Sequence, residues 1–170
     1  MEKKLEIIHF VITGGTIDSY YSIKKDTAVP NTNSAIPGFI KSLDLKAEFT
    51  EVCMKDSREF THEDLENILK AIEESPYKKI IITHGTYTMP DTGRYLKANL
   101  KRKDQTILLT GSMIPMKGFS PSDSTFNLGY AMAKIQNLPP GIFVCMNARV
   151  FSPDEIMKVI SEGKFASIFG

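Results

Sequence analysis

Three short segments of the sequence carry hydroxyl side chains and glycines directly after apolar, β-branched runs. The segments are Thr13–Thr16 (T-G-G-T), Thr83–Thr88 (T-H-G-T-Y-T) and Thr110–Met113 (T-G-S-M). A hydroxyl of this kind attacks a carbonyl carbon when a neighbouring base removes its proton, and backbone N–H groups can stabilise the oxyanion that forms. Hydroxyls and glycines at the ends of apolar runs therefore make these turns a candidate site. For a T-G-G-T turn taken alone, the alternative is a tight turn that needs glycine backbone freedom.

The apolar runs that precede these turns are predicted to be buried parallel strands. Ile80–Ile82 is a continuous β-branched run bounded by turn signals, which is typical of a strand covered on both faces. The runs 9–12 and 107–109 end in the same way. Because ligands bind beyond the carboxyl ends of strands in a parallel α/β sheet, we expect the three turns to form one site.

The remaining elements complete an α/β pattern. Strands are predicted near 5–12, 47–53, 80–82, 107–109 and 142–146, and helices near 37–43, 61–75, 92–101, 123–136 and 153–162. This alternation predicts a single doubly wound, mainly parallel five-strand sheet with helices on both faces. The last helix is predicted from Ser152–Glu155, a capping box with proline at the first helical position.

Composition excludes several classes of partner. The 170 residues fit one domain, and Lys plus Arg (21) balance Asp plus Glu (20), so nucleic acid and anionic membranes are not expected partners. Residues 1–12 are too short for a spanning helix and lack a signal-cleavage pattern. Cys53 and Cys145 are interpreted as free, buried thiols of a cytoplasmic protein. The histidines share no ligand spacing, so no metal or other cofactor is expected.

The motifs resemble those of the bacterial L-asparaginases. T-G-G-T-I at Thr13–Ile17, H-G-T-x-T-M at His84–Met89 and T-G-S-M at Thr110–Met113 carry the resemblance. Those enzymes hydrolyse the side-chain amide of asparagine with a threonine nucleophile. The resemblance implies that residues 1–170 form one amino-terminal catalytic domain, that the family's smaller carboxyl-terminal domain is absent, and that L-asparagine is the substrate.

The resemblance also implies the catalytic residues. Thr16 would be the nucleophile, while Thr86 and Lys158 would form a second cluster that accepts a proton. Lys158 follows Asn147 by eleven residues, which is the spacing of the family's catalytic lysine. Judged on residues alone, Lys158 would instead form an exposed i,i+4 pair with Asp154 in the predicted helix, worth roughly a few tenths of a kcal/mol.

A tyrosine would complete the catalytic set. Residues 18–34 are too polar for the core and longer than most connections, which favours a lid or binding loop. In the family a mobile loop here brings a tyrosine hydroxyl to the nucleophilic threonine. Tyr20 and Tyr21 are the tyrosines of this loop, and we favour Tyr21. The alternatives are two tyrosines that only pack the loop, and an acyl group carried by Tyr21 instead of Thr16.

Seven further residues are expected to bind the substrate: Gly15, Ser57, Arg58, Glu59, Gly85, Tyr87 and Ser112. By resemblance, Ser57 matches a serine that binds the α-carboxylate. Arg58 stands where glutamine is common, and a cation suits a carboxylate better than an ammonium. Glu59 could hold the ammonium.

Tyr87 departs from the family pattern, which has aspartate at this position to bind the substrate ammonium. A tyrosine is neutral at pH 7, and losing one charge-assisted hydrogen bond costs roughly 1.5–3 kcal/mol, or about ten- to a hundred-fold in binding. One interpretation is a high-KM asparaginase that uses Glu59 or a neighbouring subunit's acid. The alternative is a non-catalytic amino-acid-binding module. A homo-oligomer is also expected, with the loop residues Ile114, Met116 and Phe119 at its interface.

Overall fold

A computed structural model describes residues 5–170 as a six-stranded sheet, four helices and two separate β-hairpins. The sheet strands are β1 (Ile8–Gly14), β4 (Ala47–Lys55), β5 (Lys79–Thr83), β6 (Thr106–Thr110), β7 (Gly141–Met146) and β8 (Arg149–Phe151). The hairpins pair β2 (Ser19–Ser22) with β3 (Thr27–Pro30), and β9 (Ile156–Val159) with β10 (Lys164–Ser167). The helices are α1 (Ile36–Ser42), α2 (His62–Glu73), α3 (Met89–Asn99) and α4 (Ser124–Ile135).

The strand order of the sheet brings the three turns together. The order is β4-β1-β5-β6-β7-β8, and every neighbouring pair except β7 and β8 is parallel. Strands β1, β5 and β6 are adjacent, with Ile12 paired to Thr83 and Thr83 paired to Thr110. The turns that follow these strands therefore begin at the same level of one sheet edge.

Alternation along β5 shows how both faces of the sheet are covered. Ile80 and Ile82 pack with α2 and α3, whereas Ile81 packs with α1 and α4. All three isoleucines are completely buried, and each such side chain contributes roughly 1.5–3 kcal/mol through burial. The predicted doubly wound arrangement with helices on both faces is confirmed.

The β6–α4–β7 connection has the opposite hand to the β5–α3–β6 connection. Each leads to the next strand in the same direction across the sheet, but α3 packs on one face and α4 on the other. The chain must therefore cross the carboxyl edge of the sheet between β6 and α4. This crossing carries residues 111–123 over the edge where the three turns lie.

The predicted count of five strands is wrong because β8 adds an antiparallel edge strand. Asn147 and Ala148 both have positive φ, 51° and 60°, and they form a two-residue turn between β7 and β8. Asparagine tolerates this conformation, but alanine at the second position gives no sequence signal for it.

The predicted helix at 153–162 is also wrong. The capping groups of Ser152 and Glu155 close only one turn, in which the Glu155 carboxylate accepts from the Ser152 N–H at 2.9 Å. The chain then enters β9, where Ile156 is buried against the core together with Phe165 of β10. Burial of these two side chains outweighs the local capping signal, so the segment forms a strand and not a helix. Asp154 consequently pairs with Lys97 of α3 and not with Lys158.

Both cysteines are free. Cys53 is half-buried on β4, Cys145 is buried on β7, and burial raises the pKa of these thiols to about 11 and about 12. Within residues 5–170, no helix has both the length and the apolar character that crossing a membrane requires. Residues 1–4, which belong to the segment considered for a signal sequence, lie outside the described part.

Candidate active site

The turns after β1 and β5 touch through glycine backbones. Gly15 has a φ of +80°, and a Cβ built on it would lie 2.4 Å from the Gly85 nitrogen. Gly85 in turn packs on Ser57, since a Cβ there would lie 2.6 Å from the serine Oγ. Side chains larger than glycine would separate the turns, so these glycines bring Thr16 and Thr86 to one cavity.

Buried hydroxyls fix the strand ends beneath this contact. The Thr13 hydroxyl donates to the Thr83 carbonyl at 2.8 Å, and the Thr110 hydroxyl donates to the Cys145 carbonyl at 2.8 Å. The His84 N–H donates to the Thr110 carbonyl at 2.9 Å. The hydroxyls of Thr13 and Thr110 are completely buried and engaged within the fold, so their part in the motifs is to hold the turns.

His84 forms a neutral support under the β5 turn. Its Nδ1 donates to the Gly85 carbonyl at 2.7 Å, and its Nε2 accepts from the Thr92 hydroxyl at 2.8 Å. Burial disfavours the charged ring and lowers the pKa of His84 to about 4. A completely buried neutral histidine with both nitrogens bonded is a structural residue, not a proton carrier.

Thr16 and Thr86 line the same cavity, of about 630 Å³, at the carboxyl edge of the sheet. Thr16 follows Gly15 at the start of a short 3-10 turn, and its hydroxyl has no hydrogen-bond partner among residues 5–170. Thr86 is buried, and its hydroxyl accepts from Lys158 Nζ at 2.7 Å. One hydroxyl is therefore open to a ligand and the other is bonded to an amine.

Lys158 reaches the cavity from β9, in the C-terminal hairpin. Desolvation by its surroundings and repulsion from Arg58 lower the pKa of Lys158, while Asp56 acts weakly in the opposite direction. A half-buried lysine of this kind has a larger neutral fraction than an exposed one, so it can accept a proton more readily.

Tyr21 lies on the face of the β2–β3 hairpin that borders the cavity. It is paired with Ala28, which lines the cavity, and its ring packs edge-on against Phe119 at 6.5 Å. Its hydroxyl donates to Asp26, and this bond raises the pKa of the Tyr21 phenol. Tyr20 points to the opposite face because side chains alternate along a strand.

Ser57 and its neighbours are divided between core and cavity. Ser57 is buried beneath Gly85, where its Oγ accepts from the Thr88 N–H at 3.4 Å. Arg58 lines the cavity, whereas Glu59 is exposed and is not among the lining residues. Asp56, which sequence reasoning missed, lines the cavity and binds Arg58.

Tyr87 stands between two cations. The Arg58 guanidinium carbon lies 4.5 Å from the centre of its ring, and Lys158 Nζ lies 3.9 Å from it. Both distances are within the range of cation–π attraction. The position that the family pattern gives to an anion therefore holds an aromatic ring with two basic side chains packed against it.

The turn after β6 mainly holds neighbouring loops in place by hydrogen bonds. The Ser112 hydroxyl is buried and donates to the Ile114 carbonyl at 2.5 Å. Asn127, in the F-N-L segment of α4, donates to the Gly111 carbonyl at 2.9 Å and accepts from the Asn147 N–H at 3.1 Å. Asn127 thus holds two loops, a role that sequence reasoning missed.

The loop residues expected at a subunit interface have partners within the chain. Ile114 and Phe119 line the cavity, and Met116 packs against the core cluster on the α1 and α4 face. The apolar character of the loop is thus explained by the site that it covers.

A second cleft, of about 510 Å³ between β4 and α2, contains His9. Both His9 ring nitrogens are bonded at 2.8 Å, to the hydroxyls of Ser75 and Thr50. Within residues 5–170, no three His, Cys, Asp or Glu side chains are grouped closely enough to share a metal ion. The strand-end cavity is therefore the stronger candidate for chemistry.

The chain is similar to L-asparaginases along most of its length. A family model described as asparaginase, N-terminal, matches residues 7–167. An L-asparaginase of Thermococcus kodakarensis is 30% identical over 155 residues, which cover 89% of this chain and 47% of that protein. A glutaminase-asparaginase of Pseudomonas aeruginosa is 25% identical over 175 residues, covering 94% of this chain and 47% of its own.

The fold also matches those of solved L-asparaginase structures. The thermostable L-asparaginase of T. kodakarensis superposes with a TM-score of 0.81 and 29% identity, over 95% of this chain and 51% of that one. A probable cytoplasmic L-asparaginase of Campylobacter jejuni gives a TM-score of 0.80 at 26% identity, over 95% of this chain and 53% of that one. The chain spans about half the length of these relatives. It belongs to the asparaginase family, and it corresponds to the amino-terminal domain of that family.

Proposed function

We propose that this domain hydrolyses the side-chain amide of L-asparagine to L-aspartate and ammonia through a covalent intermediate on Thr16. The observation that carries the proposal is the 2.7 Å hydrogen bond from Lys158 to Thr86 on the cavity that Thr16 lines. It supplies a hydroxyl–amine pair beside a free hydroxyl, which is the combination that acyl transfer needs.

In the first step the Thr16 hydroxyl attacks the amide carbon while a base removes its proton. Tyr21 is the base in this proposal, acting as the phenolate after its hydroxyl has left Asp26 and lost its proton. The Thr86 N–H has no acceptor among residues 5–170 and could stabilise the oxyanion. Tyr21 then passes the proton from Thr16 to the amide nitrogen, ammonia leaves as the carbonyl reforms, and Thr16 holds a β-aspartyl ester.

In the second step water hydrolyses this ester. The Thr86–Lys158 pair accepts a proton from the attacking water, since the lowered pKa of Lys158 raises its neutral fraction, and returns it to the Thr16 oxygen as the ester bond breaks. Gly15 and Gly85 position the two threonines, and Arg58 offers a cation to the substrate carboxylate. Ser57, Glu59, Tyr87 and Ser112 remain proposed substrate-binding residues: Tyr87 lines the cavity, Ser57 and Ser112 are buried outside its lining, and Glu59 would have to act from its exposed position outside the lining.

The assay for this proposal is ammonia release from asparagine by the wild type and by Thr16→Ala. We expect Thr16→Ala to fold normally and to lose at least about a thousand-fold in kcat, a cautious bound for loss of a nucleophile. Thr125→Ala, at an exposed position of α4, is the matched control and should retain activity. Ordinary activity in Thr16→Ala would move the nucleophile elsewhere, with Tyr21 next to test.

The second candidate is a non-catalytic amino-acid-binding module. It is favoured by the Tyr21 hydroxyl, which is bonded to Asp26, and by Tyr87 in place of an anion. Calorimetric binding of asparagine without any ammonia release would support this candidate and exclude the enzyme.

We also infer a cytoplasmic homo-oligomer. Exposed apolar side chains on the C-terminal hairpin and its flanks support the oligomer. Met157, Ile160 and Phe169 are 47%, 71% and 79% exposed. Light scattering that gives a 19.0 kDa particle at micromolar concentration would exclude an oligomer.

A further inference from the structure

Lys158 is held on the cavity by two consecutive residues of the turn after β5. Its Nζ donates to the Thr86 hydroxyl at 2.7 Å and lies over the ring of Tyr87, 3.9 Å from the ring centre. A lysine carries its amine on a flexible four-carbon stem, so contacts from the surroundings must fix where the amine lies. The position of Lys158 therefore depends on the Tyr87 ring as well as on the Thr86 hydroxyl.

The Tyr87 ring also acts on the charge of Lys158. The face of an aromatic ring attracts an ammonium whose distance from the ring centre is within about 6 Å, because the face carries the negative part of the ring quadrupole. In the proposed hydrolysis, Lys158 is neutral until the Thr86–Lys158 pair accepts a proton, so the ammonium forms during the reaction. An attraction that strengthens as this charge develops lowers the barrier.

Two charged side chains lie close to this contact, Arg58 and Asp56. Desolvation and repulsion from Arg58 lower the pKa of Lys158, whereas Asp56 acts to raise it. Arg58 also lies over the Tyr87 ring, but Asp56 holds it independently, through bonds of 3.0 Å from Nε and 2.5 Å from Nη2. Removal of the ring should therefore leave this ion pair in place and act mainly on Lys158.

We propose that Tyr87 is a positioning residue for Lys158: its ring holds the amine beside Thr86 and stabilises the ammonium that forms when the Thr86–Lys158 pair accepts a proton. The kinetic part of this inference rests on the proposed amide hydrolysis. It differs from the substrate contact proposed for Tyr87. A contact made equally in the ground and transition states changes KM, whereas stabilisation of a charge that forms during the reaction changes kcat.

The first experiment needs no substrate. Nuclear magnetic resonance of protein labelled with carbon-13 lysine follows each lysine through a pH titration, and Lys158 is the signal that Lys158→Met loses. The methylene protons beside Nζ lie near the ring face, so the ring current should shift their resonance upfield of those of exposed lysines. Tyr87→Leu should abolish this shift and lower the pKa of Lys158, because the ammonium loses an attraction.

Tyr87→Phe is the conservative variant, since it keeps the ring and removes only the hydroxyl. It should retain the upfield resonance and restore the pKa of Lys158. Tyr87 is 46% exposed, so both variants should fold normally, which thermal unfolding checks. An unshifted Lys158 resonance in the wild type, or the same pKa of Lys158 in wild type and Tyr87→Leu, would overturn the inference.

The second experiment measures kcat and KM for asparagine against pH. At high pH, where Lys158 is neutral before the reaction, Tyr87→Leu should lower the plateau of kcat about ten-fold, with a smaller change in KM. The rising limb of kcat/KM should move to lower pH, and Tyr87→Phe should recover both properties. A lower plateau with the limb in place indicates an ordinary packing loss, and a raised KM with kcat unchanged indicates a substrate contact. Either result would contradict the role given to Tyr87.

A similar pair on α4 provides the matched control. Lys134 Nζ lies 5.4 Å from the centre of the Tyr130 ring, and Tyr130 lies outside the lining of the cavity. Tyr130→Leu should leave kcat, KM and the Lys158 resonance unchanged.

The two experiments separate this inference from the proposed function. A protein that releases no ammonia, but loses the upfield Lys158 resonance and lowers the pKa of Lys158 in Tyr87→Leu, fails the proposed function and keeps the inference about Lys158. A protein that hydrolyses asparagine with an unshifted Lys158 resonance keeps the proposed function and fails the inference.

Discussion

The candidate site has two halves that differ in how completely they are assembled. In the Thr86 half, the Thr86 hydroxyl is bonded to Lys158 at 2.7 Å, and the neutral ring of His84 supports the turn after β5 from below. In the Thr16 half, the threonine hydroxyl has no partner among residues 5–170, and Tyr21 donates to Asp26 instead. The proposed mechanism therefore requires the Thr16 half to rearrange when substrate binds, whereas the Thr86–Lys158 bond is already formed.

The two hairpins that carry the outer residues explain the difference. The β9–β10 hairpin is anchored by Ile156 and Phe165, which are 1% and 3% exposed, so Lys158 is held against the core. The β2–β3 hairpin has no comparable anchor near its end, and Tyr20 and Tyr21 are 47% and 46% exposed. An element with few buried contacts opens at low cost, which suits a residue that must change partners.

The largest expected effect tests whether Thr86 and Lys158 act as one unit. Thr86→Val and Lys158→Met should each lower kcat about 10²- to 10⁴-fold, because either change removes the proton acceptor. The kcat of the double variant should be no lower than that of the less active single variant, since both changes remove the same function. Lys164→Met, in the same hairpin and paired with exposed Glu162, is the control. Multiplied losses in the double variant would show that the two residues act separately.

The rigidity of the Thr86 half should appear as a pH dependence of folding stability. The pKa of His84 is about 4 in the folded protein against 6.5 for an ordinary histidine, so the unfolded chain binds the proton more tightly. The free energy of unfolding should therefore fall by about 3 kcal/mol as the pH falls from 6.5 to 4, at about 1.4 kcal/mol per pH unit. Urea unfolding across this range measures the loss.

Variants separate His84 from the other histidines in that measurement. His9, whose pKa is also lowered by burial, contributes in the same direction, so some slope should remain when His84 is replaced. His84→Gln should flatten the dependence, because it removes the buried ring whose pKa is lowered. An equal slope in wild type and His84→Gln would show that the buried ring is not the titrating group.

Tyr21 provides the corresponding test of the Thr16 half. Tyr21→Phe should lower kcat about a hundred-fold, at the lower end for loss of a general base. Tyr20→Phe, on the opposite face of the hairpin, is the matched control and should change kcat little. Asp26→Asn should raise kcat, because it weakens the bond that raises the pKa of the Tyr21 phenol. A larger loss in Tyr20→Phe than in Tyr21→Phe would reverse the assignment.

The sequence predicted the parts of the site that depend on local pattern. The buried run Ile80–Ile82 and its Thr/Gly turn identified both a central strand and the edge where the cavity lies. Lys158 shows the limit of this reasoning. Its spacing from Asn147 pointed to the site, but the capping box before it predicted a helix, and the residue lies on β9. Burial of Ile156 and Phe165 depends on residues distant in sequence, which a four-residue signal does not contain.

Residues beside the turns could not be placed from the sequence. Ser57 and Glu59 were both expected to bind the substrate, but Ser57 lies under Gly85 and Glu59 is exposed away from the lining of the cavity. A 3-10 turn at Ser57–Glu59 sends adjacent side chains in different directions. Asp56 was missed for the same reason, since nothing in the sequence indicated that it would line the cavity with Arg58.

The smallest expected effect concerns the charge environment of the Thr86 half. Arg58 lowers the pKa of Lys158 by repulsion, and it also engages Asp56, whose charge acts to raise that pKa. Arg58→Gln removes the repulsion and frees the carboxylate, and both changes raise the pKa of Lys158. Because neutral Lys158 is the proposed base, the rising limb of kcat/KM against pH should move to higher pH in this variant. The profile of kcat/KM reports the free enzyme, so a change in substrate binding does not mimic the shift. Lys101→Gln, an exposed change at the opposite edge of the sheet, should leave the limb in place. A limb that moved to lower pH, or did not move, would show that Lys158 is not the group whose titration limits the rate.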